Sequence, residues 1–211
     1  MVVVIVVLVV LALLVVALIV LYNRFVRLRN RVDNAWAQIE VQLKRRWDLI
    51  PNLIETVKGY AAHERETFQA VTEARTQAQQ ARTPAEMGQA EGLLGQALGR
   101  LFAVAEAYPE LQADENFRQL QTELAETENR IAVSRQVYND SVLTYNNSVQ
   151  TFPGVVLAGP FGFSKREFFE VEDDAQREPP RVSFQQEAAP AAAPPAPEPG
   201  EAAPPGGPPS S

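Results

Sequence analysis

Few side chains in this sequence are of the types that carry out chemistry. There is no cysteine and one histidine, so Cys–His catalytic pairs and most zinc sites lack their ligands. His63 lies in the stretch HERET, where Thr67 takes the place of the second histidine of an H-E-x-x-H metal site. The glycine-rich stretch GQAEGLLGQALG (88–99) lacks the Lys-Ser/Thr pair of a phosphate-binding loop. The sequence therefore predicts no catalytic, cofactor-binding or metal-binding residue, and no cofactor.

One polar interruption of an apolar helix stripe is a better candidate for function. Thr127–Arg130 (TENR) lies between the apolar residues Leu124 and Ile131. Polar residues in such a position fix the register of packed helices through hydrogen bonds or an ion pair. A recognition site is the alternative interpretation, and the register interpretation is favoured because structural networks often resemble functional ones.

These residues must be positioned by helices, since apolar residues recur at steps of three and four along the body of the chain. The first stripe runs in phase through Pro51 in LKRRWDLIPNL. A proline removes one backbone hydrogen bond and bends a helix. We expect one element over about 24–82 that is kinked at Pro51, or two nearly coaxial helices, with Lys44, Arg45 and Arg46 mostly facing solvent.

Two more helices and a packed segment are expected after it. Thr83-Pro84-Ala85-Glu86 predicts a capping box at the start of a helix over 84–107. Asp114 is a candidate cap for a helix over 114–152, which contains the seven-residue repeat YNDSVLTYNNSV. Residues 155–171 carry four phenylalanines, too many for a free tail, and are expected to pack against the bundle. An interaction patch is the alternative.

The N-terminus has the composition of a membrane anchor. Val2–Leu21 is entirely apolar, and about 20 such residues span a bilayer core. Arg24, Arg27, Arg29 and Arg31 follow it at once. Because basic residues near a membrane span stay in the cytoplasm, we expect a single-pass inner-membrane protein with its N-terminus outside and its body in the cytoplasm.

The C-terminus has the composition of a disordered tail, since residues 172–211 are acidic and then rich in Pro and Ala. The predicted domains are an anchor over 1–22, a helical bundle over 23–171 and this tail over 172–211. The predicted fold class is all-α, with a transmembrane helix followed by an elongated antiparallel bundle of three to four helices.

Charge and composition restrict the partners. The net charge of −7 and the absence of a basic stripe with interleaved aromatics argue against nucleic acid. The expected partners are the lipid bilayer, through the anchor, and unidentified membrane or cytoplasmic proteins. Long apolar seams also suit self-association, so a homo-oligomer stays open.

Three stretches resemble the signature of the bacterial LemA family. They are AWAQIEVQLKRRWDLIPNLIETVKGYAAHE (35–64), ENFRQLQTELAETENRIAVSRQVYNDSVLTYNNSVQTFP (115–153) and the later GF…FFE at Gly162, Phe163 and Phe168–Glu170. The resemblance covers about Tyr22 to Val171. It implies an N-terminal anchor, an outward N-terminus and a cytoplasmic helical bundle. It implies no established enzymatic activity and supplies no agreed catalytic residues.

The anchor, the bundle and the lack of candidate catalytic groups together predict a membrane-tethered, non-enzymatic scaffold or adaptor. Two alternatives remain open. One is a sensor that transmits a conformational change through the bundle. The other is an accessory subunit of a membrane protease system, because relatives are often encoded near membrane metallopeptidases.

Overall fold

The structure, a computed structural model, describes residues 1–171, which form six helices and no strand. The helices are α1 (Val2–Lys58), α2 (Arg65–Gln80), α3 (Pro84–Glu106), α4 (Pro109–Ala113), α5 (Glu115–Gln150) and α6 (Gly154–Ala158). The all-α prediction is confirmed. The tail predicted over 172–211 lies outside the described residues.

The anchor segment and the first helix of the bundle are one continuous helix. α1 has 57 residues, which corresponds to about 85 Å at 1.5 Å per residue. Its first part, Val2–Leu21, is long and apolar enough to cross a membrane and is not buried by the rest of the protein. From Phe25 onward, one face of the same helix is buried in the bundle.

α1 continues through Pro51, and the structure shows where the lost hydrogen bond is replaced. Proline has no N–H to donate to the carbonyl of Trp47, four residues earlier. In the structure the Arg75 side chain of α2 donates from Nε to this carbonyl at 2.7 Å. Because a charged donor from a neighbouring helix takes the place of the backbone donor, the proline becomes part of the contact between α1 and α2.

The predicted single element over 24–82 is wrong in its second half. α1 ends at Lys58, and a turn over residues 59–64 leads into α2. α2 runs back along α1, since Arg75 reaches Trp47 and the ammonium of Lys58 lies over the ring of Phe68. The physical reason is burial: only a reversal brings the apolar face of α2 onto the same core as the end of α1.

The Arg75 contact gives a testable prediction. Replacing Arg75 with alanine is expected to destabilise the bundle by about 1–3 kcal/mol, because the Trp47 carbonyl loses a charged donor. In a Pro51→Ala background the same change should cost less, since residue 51 then donates its own N–H. Urea unfolding of the four proteins of this double-mutant cycle in detergent measures the coupling. Equal costs in both backgrounds would contradict the assignment.

The caps of α3 and α5 are confirmed. The Glu86 N–H donates to the Thr83 hydroxyl at 3.2 Å, and the Glu86 carboxylate accepts from the Thr83 N–H at 3.2 Å. Asp114 caps α5 by accepting from the Phe117 N–H at 2.9 Å. The Tyr60 hydroxyl also donates to Asp114, at 3.0 Å, which fixes the start of α5 beside the end of α1.

The buried residues form two separate apolar clusters along α1 and α5. The distal core joins the end of α1 to α2, α3, α4 and the start of α5. The proximal core, nearer the anchor, joins the middle of α1 to the second half of α5 and the C-terminal segment. The largest fully buried side chains of the distal core are Ile50, Leu53, Leu94, Leu101 and Leu111, and those of the proximal core are Phe25, Ile39, Leu43, Tyr145 and Phe169.

α2 and α3 contribute little to the proximal core, and an extended segment packs there instead. Residues 163–171, called the strap below, contain no helix or strand and contact α1 and α5. Phe163 and Phe169 are buried, whereas Phe168 is exposed. Phe152, the last residue of the helix predicted over 114–152, is also exposed, because α5 ends two residues before it.

The end of the strap passes close to α3 at Gly88. A Cβ atom at this glycine would overlap the backbone carbonyl of Glu170, whereas a Cβ at Gly99, on the same helix, would meet nothing within 4 Å. Gly88→Ala is therefore expected to displace the end of the strap, at a cost of about 1–3 kcal/mol.

The matched variant Gly99→Ala is expected to stabilise α3 by up to about 1 kcal/mol through helix propensity. Thermal unfolding of both variants checks the difference in sign. Stabilisation by both alanines would show that the strap does not approach α3 closely.

Candidate functional site

A charged cluster links α1, α3 and α5, with Arg46 and Glu91 buried and Glu128 57% exposed. The Arg46 side chain, 11% exposed, is paired with Glu91 and Glu128. This corrects the expectation that Arg46 faces solvent with its neighbours. Lys44 and Arg45 are exposed as expected. Arg46 follows Leu43 by three residues and precedes Ile50 by four, so helix geometry places it on the buried face.

The cluster is compact and its donors are matched by acceptors. Arg46 Nη1 lies 3.1 Å from Glu91 Oε2 and 2.6 Å from Glu128 Oε2. The indole Nε1 of Trp47 donates to Glu91 Oε1 at 2.7 Å. Both oxygens of Glu91 thus accept hydrogen bonds, which is the arrangement of an ionised carboxylate. One guanidinium serves two carboxylates, so the cluster carries one net negative charge.

On α1 and α5 the cluster lies at the boundary between the two cores. Along α1, Arg46 separates Leu43 of the proximal core from Ile50 of the distal core. Along α5, Glu128 separates Ile131 from Leu124 in the same way. Buried charges must pair in order to be tolerated, so this layer aligns the three helices at one level.

A groove opens beside this cluster, between α3 and α5. Its volume is about 630 Å³. Glu91, Arg46 and Glu128 lie at one side of it. Glycines of α3, which have no side chains, form part of its wall. The remaining lining is largely apolar and includes Leu98, Phe102, Leu124, Ile131 and Val171.

A sequence model of the LemA family matches residues 35–184. The chain belongs to the LemA family. Two proteins of Paramagnetospirillum magneticum, magnetosome protein MamQ 1 and MamQ 2, are each 31% identical over 72% of this chain and 66% of their own length. Protein LemA of Metamycoplasma hominis is 25% identical over 62% of this chain and 60% of its own. The chain thus spans just under two thirds of the length of the curated relatives it matches.

In this LemA-family protein only part of the polar layer predicted at Thr127–Arg130 contacts other helices. The Thr127 hydroxyl is buried and donates to the Leu124 carbonyl of its own helix at 2.8 Å. Glu128, Asn129 and Arg130 are all exposed, and of these Glu128 reaches Arg46. The register interpretation therefore holds for Glu128 alone. His63 is exposed in the turn between α1 and α2.

Two members of the cluster, Arg46 and Glu91, were missed from the sequence. Glu91 follows Met87 by four residues and precedes Leu94 by three, and both of these are buried. The sequence thus carried a signal for the burial of both residues, because each charge lies in phase with an apolar stripe. The sequence carried no signal for their pairing, because 45 residues separate them and no local spacing relates two helices.

The environment of Glu91 gives a prediction for pH. Burial raises the pKa of the Glu91 carboxyl above its ordinary value and Glu128 adds to this, while Arg46 and the Trp47 N–H oppose the rise. Between the unfolded pKa of about 4.3 and the raised folded value, the native protein binds more protons than the unfolded chain. Stability contributed by this group therefore falls as pH increases.

We expect the stability of the native protein, minus that of the Glu91→Gln variant, to decrease as pH rises through this window. Urea unfolding of both proteins across the acid range measures the difference, with the exposed Glu126→Gln as control. A difference that increases with pH would mean that the pairing with Arg46 outweighs burial.

Proposed function

We propose that this protein is a membrane-tethered, non-enzymatic scaffold or adaptor of the cell membrane, with its helical bundle on the cytoplasmic side. The observation that carries the proposal is the continuity of α1. One helix contains the apolar segment Val2–Leu21 and then contributes core residues down to Val57. A bundle built around such a helix has no flexible linker between it and the anchor, which suits a protein that holds a partner near the bilayer.

The proposed orientation rests on the four arginines at positions 24, 27, 29 and 31, which follow the apolar segment directly. The natural chain has no cysteine, so a single Gln77→Cys on the exposed face of α2 provides a unique label site. A membrane-impermeant maleimide should label it only after the cells are opened. Equal labelling of intact cells would place the bundle outside.

Binding of a protein partner is the activity that the groove between α3 and α5 supports. Arg46, Glu91 and Glu128 are engaged with one another, Arg135 is a further charged residue of the lining, and the rest is largely apolar. Such surfaces suit side chains of another protein, because apolar burial supplies the driving force and a few polar groups fix orientation.

Site-specific crosslinking in living cells tests the scaffold function. A photoreactive amino acid at Ala132, which lines the groove, is compared with one at Glu126, an exposed residue of α5 that is absent from the groove lining. We expect a discrete crosslinked species from position 132 that is absent from position 126. Identical patterns at both positions, in several growth conditions, would remove the basis for a scaffold.

A sensor is the second candidate, and the position of the charged cluster on α1 favours it. Because Arg46 and the anchor belong to one helix, movement of the anchor would be transmitted to the boundary between the two cores. Spin labels at Gln38 and Gln77 would then report two distances. A single distance under all conditions would contradict this function.

A further inference from the structure

The seven-residue repeat of α5 builds a pair of backbone clamps on the strap. The Asn139 side chain accepts from the Phe169 N–H at 2.9 Å and donates to the Phe169 carbonyl at 3.1 Å. Asn146 repeats both contacts with Arg166, at 2.9 Å each. Each asparagine thus pairs with both polar backbone groups of one strap residue, which is the full hydrogen-bonding capacity that a non-proline backbone offers.

A third contact of the same kind comes from the neighbouring tyrosine. The Tyr138 hydroxyl donates to the Glu167 carbonyl at 2.8 Å. Burial raises the pKa of Tyr138 to about 12, so the hydroxyl stays a donor at neutral pH. All five bonds go to the backbone of the strap, so they recognise an extended chain without reading its side chains.

The spacing of the clamps matches an extended peptide. Asn139 and Asn146 lie seven residues apart on α5, which is about 10.5 Å along a helix. Phe169 and Arg166 lie three residues apart, which is about 10 Å along an extended chain. Because the two lengths agree, both asparagines can bind the same extended segment, running antiparallel to α5.

Side-chain contacts add a pattern to this backbone recognition. Phe169 is fully buried and stacks edge-to-face on Trp36, with ring centroids 5.7 Å apart. Phe163 is buried against Phe25 at 5.1 Å. Midway between them, Arg166 pairs with Asp33 of α1 at 3.0 Å. The groove therefore suits a segment with the pattern aromatic-x-x-basic-x-x-aromatic.

We infer that the groove between α1 and α5 is a peptide-recognition site for extended segments of this pattern, occupied in cis by the strap and open in trans to the strap of a second copy. The second copy is the occupant because residues 163–171 are the one sequence that the structure shows to fit. Exchange of an identical element is a low-cost route to a dimer. Anchoring of both copies in one membrane raises their effective concentration.

The segment before the strap is suited to such an exchange. Gly162 has a φ of 72°, which glycine adopts without strain, and exposed residues 159–162 connect α6 to the strap. Val171 of the strap also lines the groove between α3 and α5, but Asn139 and Asn146 do not. The inference therefore stands whether or not the bundle is a scaffold.

Complementation between two variants tests the exchange. The clamp variant carries Asn139→Ala and Asn146→Ala with Arg166→Cys, and the strap variant carries Phe163→Ala and Phe169→Ala with Asp33→Cys. The natural chain has no cysteine, so a short bismaleimide can join the two only between chains. The full-length proteins are mixed in vesicles of phosphatidylethanolamine and phosphatidylglycerol.

We expect the mixture to give at least about tenfold more crosslinked heterodimer than a control in which the strap variant also carries both asparagine substitutions. Crosslinking at the control level would overturn the proposal.

A peptide of residues 160–171 provides a second measurement that does not depend on dimerisation. Labelled peptide should bind the strap variant saturably, and about tenfold or more weakly when Asn139 and Asn146 are also alanine. A peptide with both phenylalanines replaced by alanine is the control. Equal binding with and without the asparagines, or no binding to the strap variant, would overturn the site. If circular dichroism shows that the double strap variant has lost its helices, the single variant Phe169→Ala serves the same test.

Discussion

Replacing Arg46 with alanine is expected to lower the free energy of unfolding of the bundle by about 3–5 kcal/mol. The change leaves Glu91, whose side chain is 3% exposed, as a buried carboxylate without its cation. The Trp47 N–H remains as its donor, but a single neutral donor does not compensate a buried charge. Urea unfolding in detergent measures the loss, followed by the fluorescence of Trp36 and of Trp47, which lies in the cluster.

Two controls separate the buried charge from a general effect of arginine. Arg45→Ala removes the adjacent, exposed arginine and is expected to change stability by less than about 0.5 kcal/mol. Replacing both Arg46 and Glu91 with leucine removes the pair together and is expected to recover most of the loss, because apolar replacements of buried pairs are often neutral. A double variant as unstable as Arg46→Ala would mean that packing, not charge, carries the effect.

Replacing Phe169 with alanine is expected to release the strap. The side chain is fully buried against Trp36, and truncating a buried phenylalanine costs about 3–5 kcal/mol. The substitution mainly lowers the free energy of local opening of the strap, because that segment can detach while the helices stay packed. Hydrogen exchange of the backbone N–H of residue 169, which donates to Asn139 at 2.9 Å in the native protein, measures this opening.

The neighbouring phenylalanine supplies the matched control. Phe168 is 38% exposed, so Phe168→Ala is expected to leave the exchange rate within a few-fold of the native rate. If both variants speed exchange equally, the contact of Phe169 with Trp36 is not what holds the strap in place.

These results would bear on how the two cores work together. The charged cluster fixes the level at which the distal bundle and the proximal pair of long helices meet, and the strap completes the proximal core where α2 and α3 contribute little. In a LemA-family protein with one helix running from the anchor into both cores, either feature would affect what the bundle presents to a partner.

Much of the secondary structure could be predicted because it depends on local sequence. The capping box at Thr83 and the cap at Asp114 were found from a few neighbouring residues, since a cap is made within one helical turn. The apolar stripe of α5 likewise predicted most of its buried positions between Phe117 and Val149. It did not predict the burial of Ser141, Asn146 and Ser148. The phase of the first stripe also continued past Lys58, which is why the turn over residues 59–64 was not foreseen.

The sequence by itself determined the apolar N-terminal segment, the helical class and the faces that each helix buries, because helix periodicity and capping are properties of a short stretch of backbone. Only the tertiary structure decided which faces meet. The reversal after Lys58 brings Arg75 to the carbonyl freed by Pro51, and the packing of α3 against α1 brings Glu91 to Arg46. The return of the chain after α5 brings the strap to the asparagines of that helix. Each of these contacts joins residues at least 20 positions apart, so it depends on the relative placement of whole segments, which no local pattern specifies.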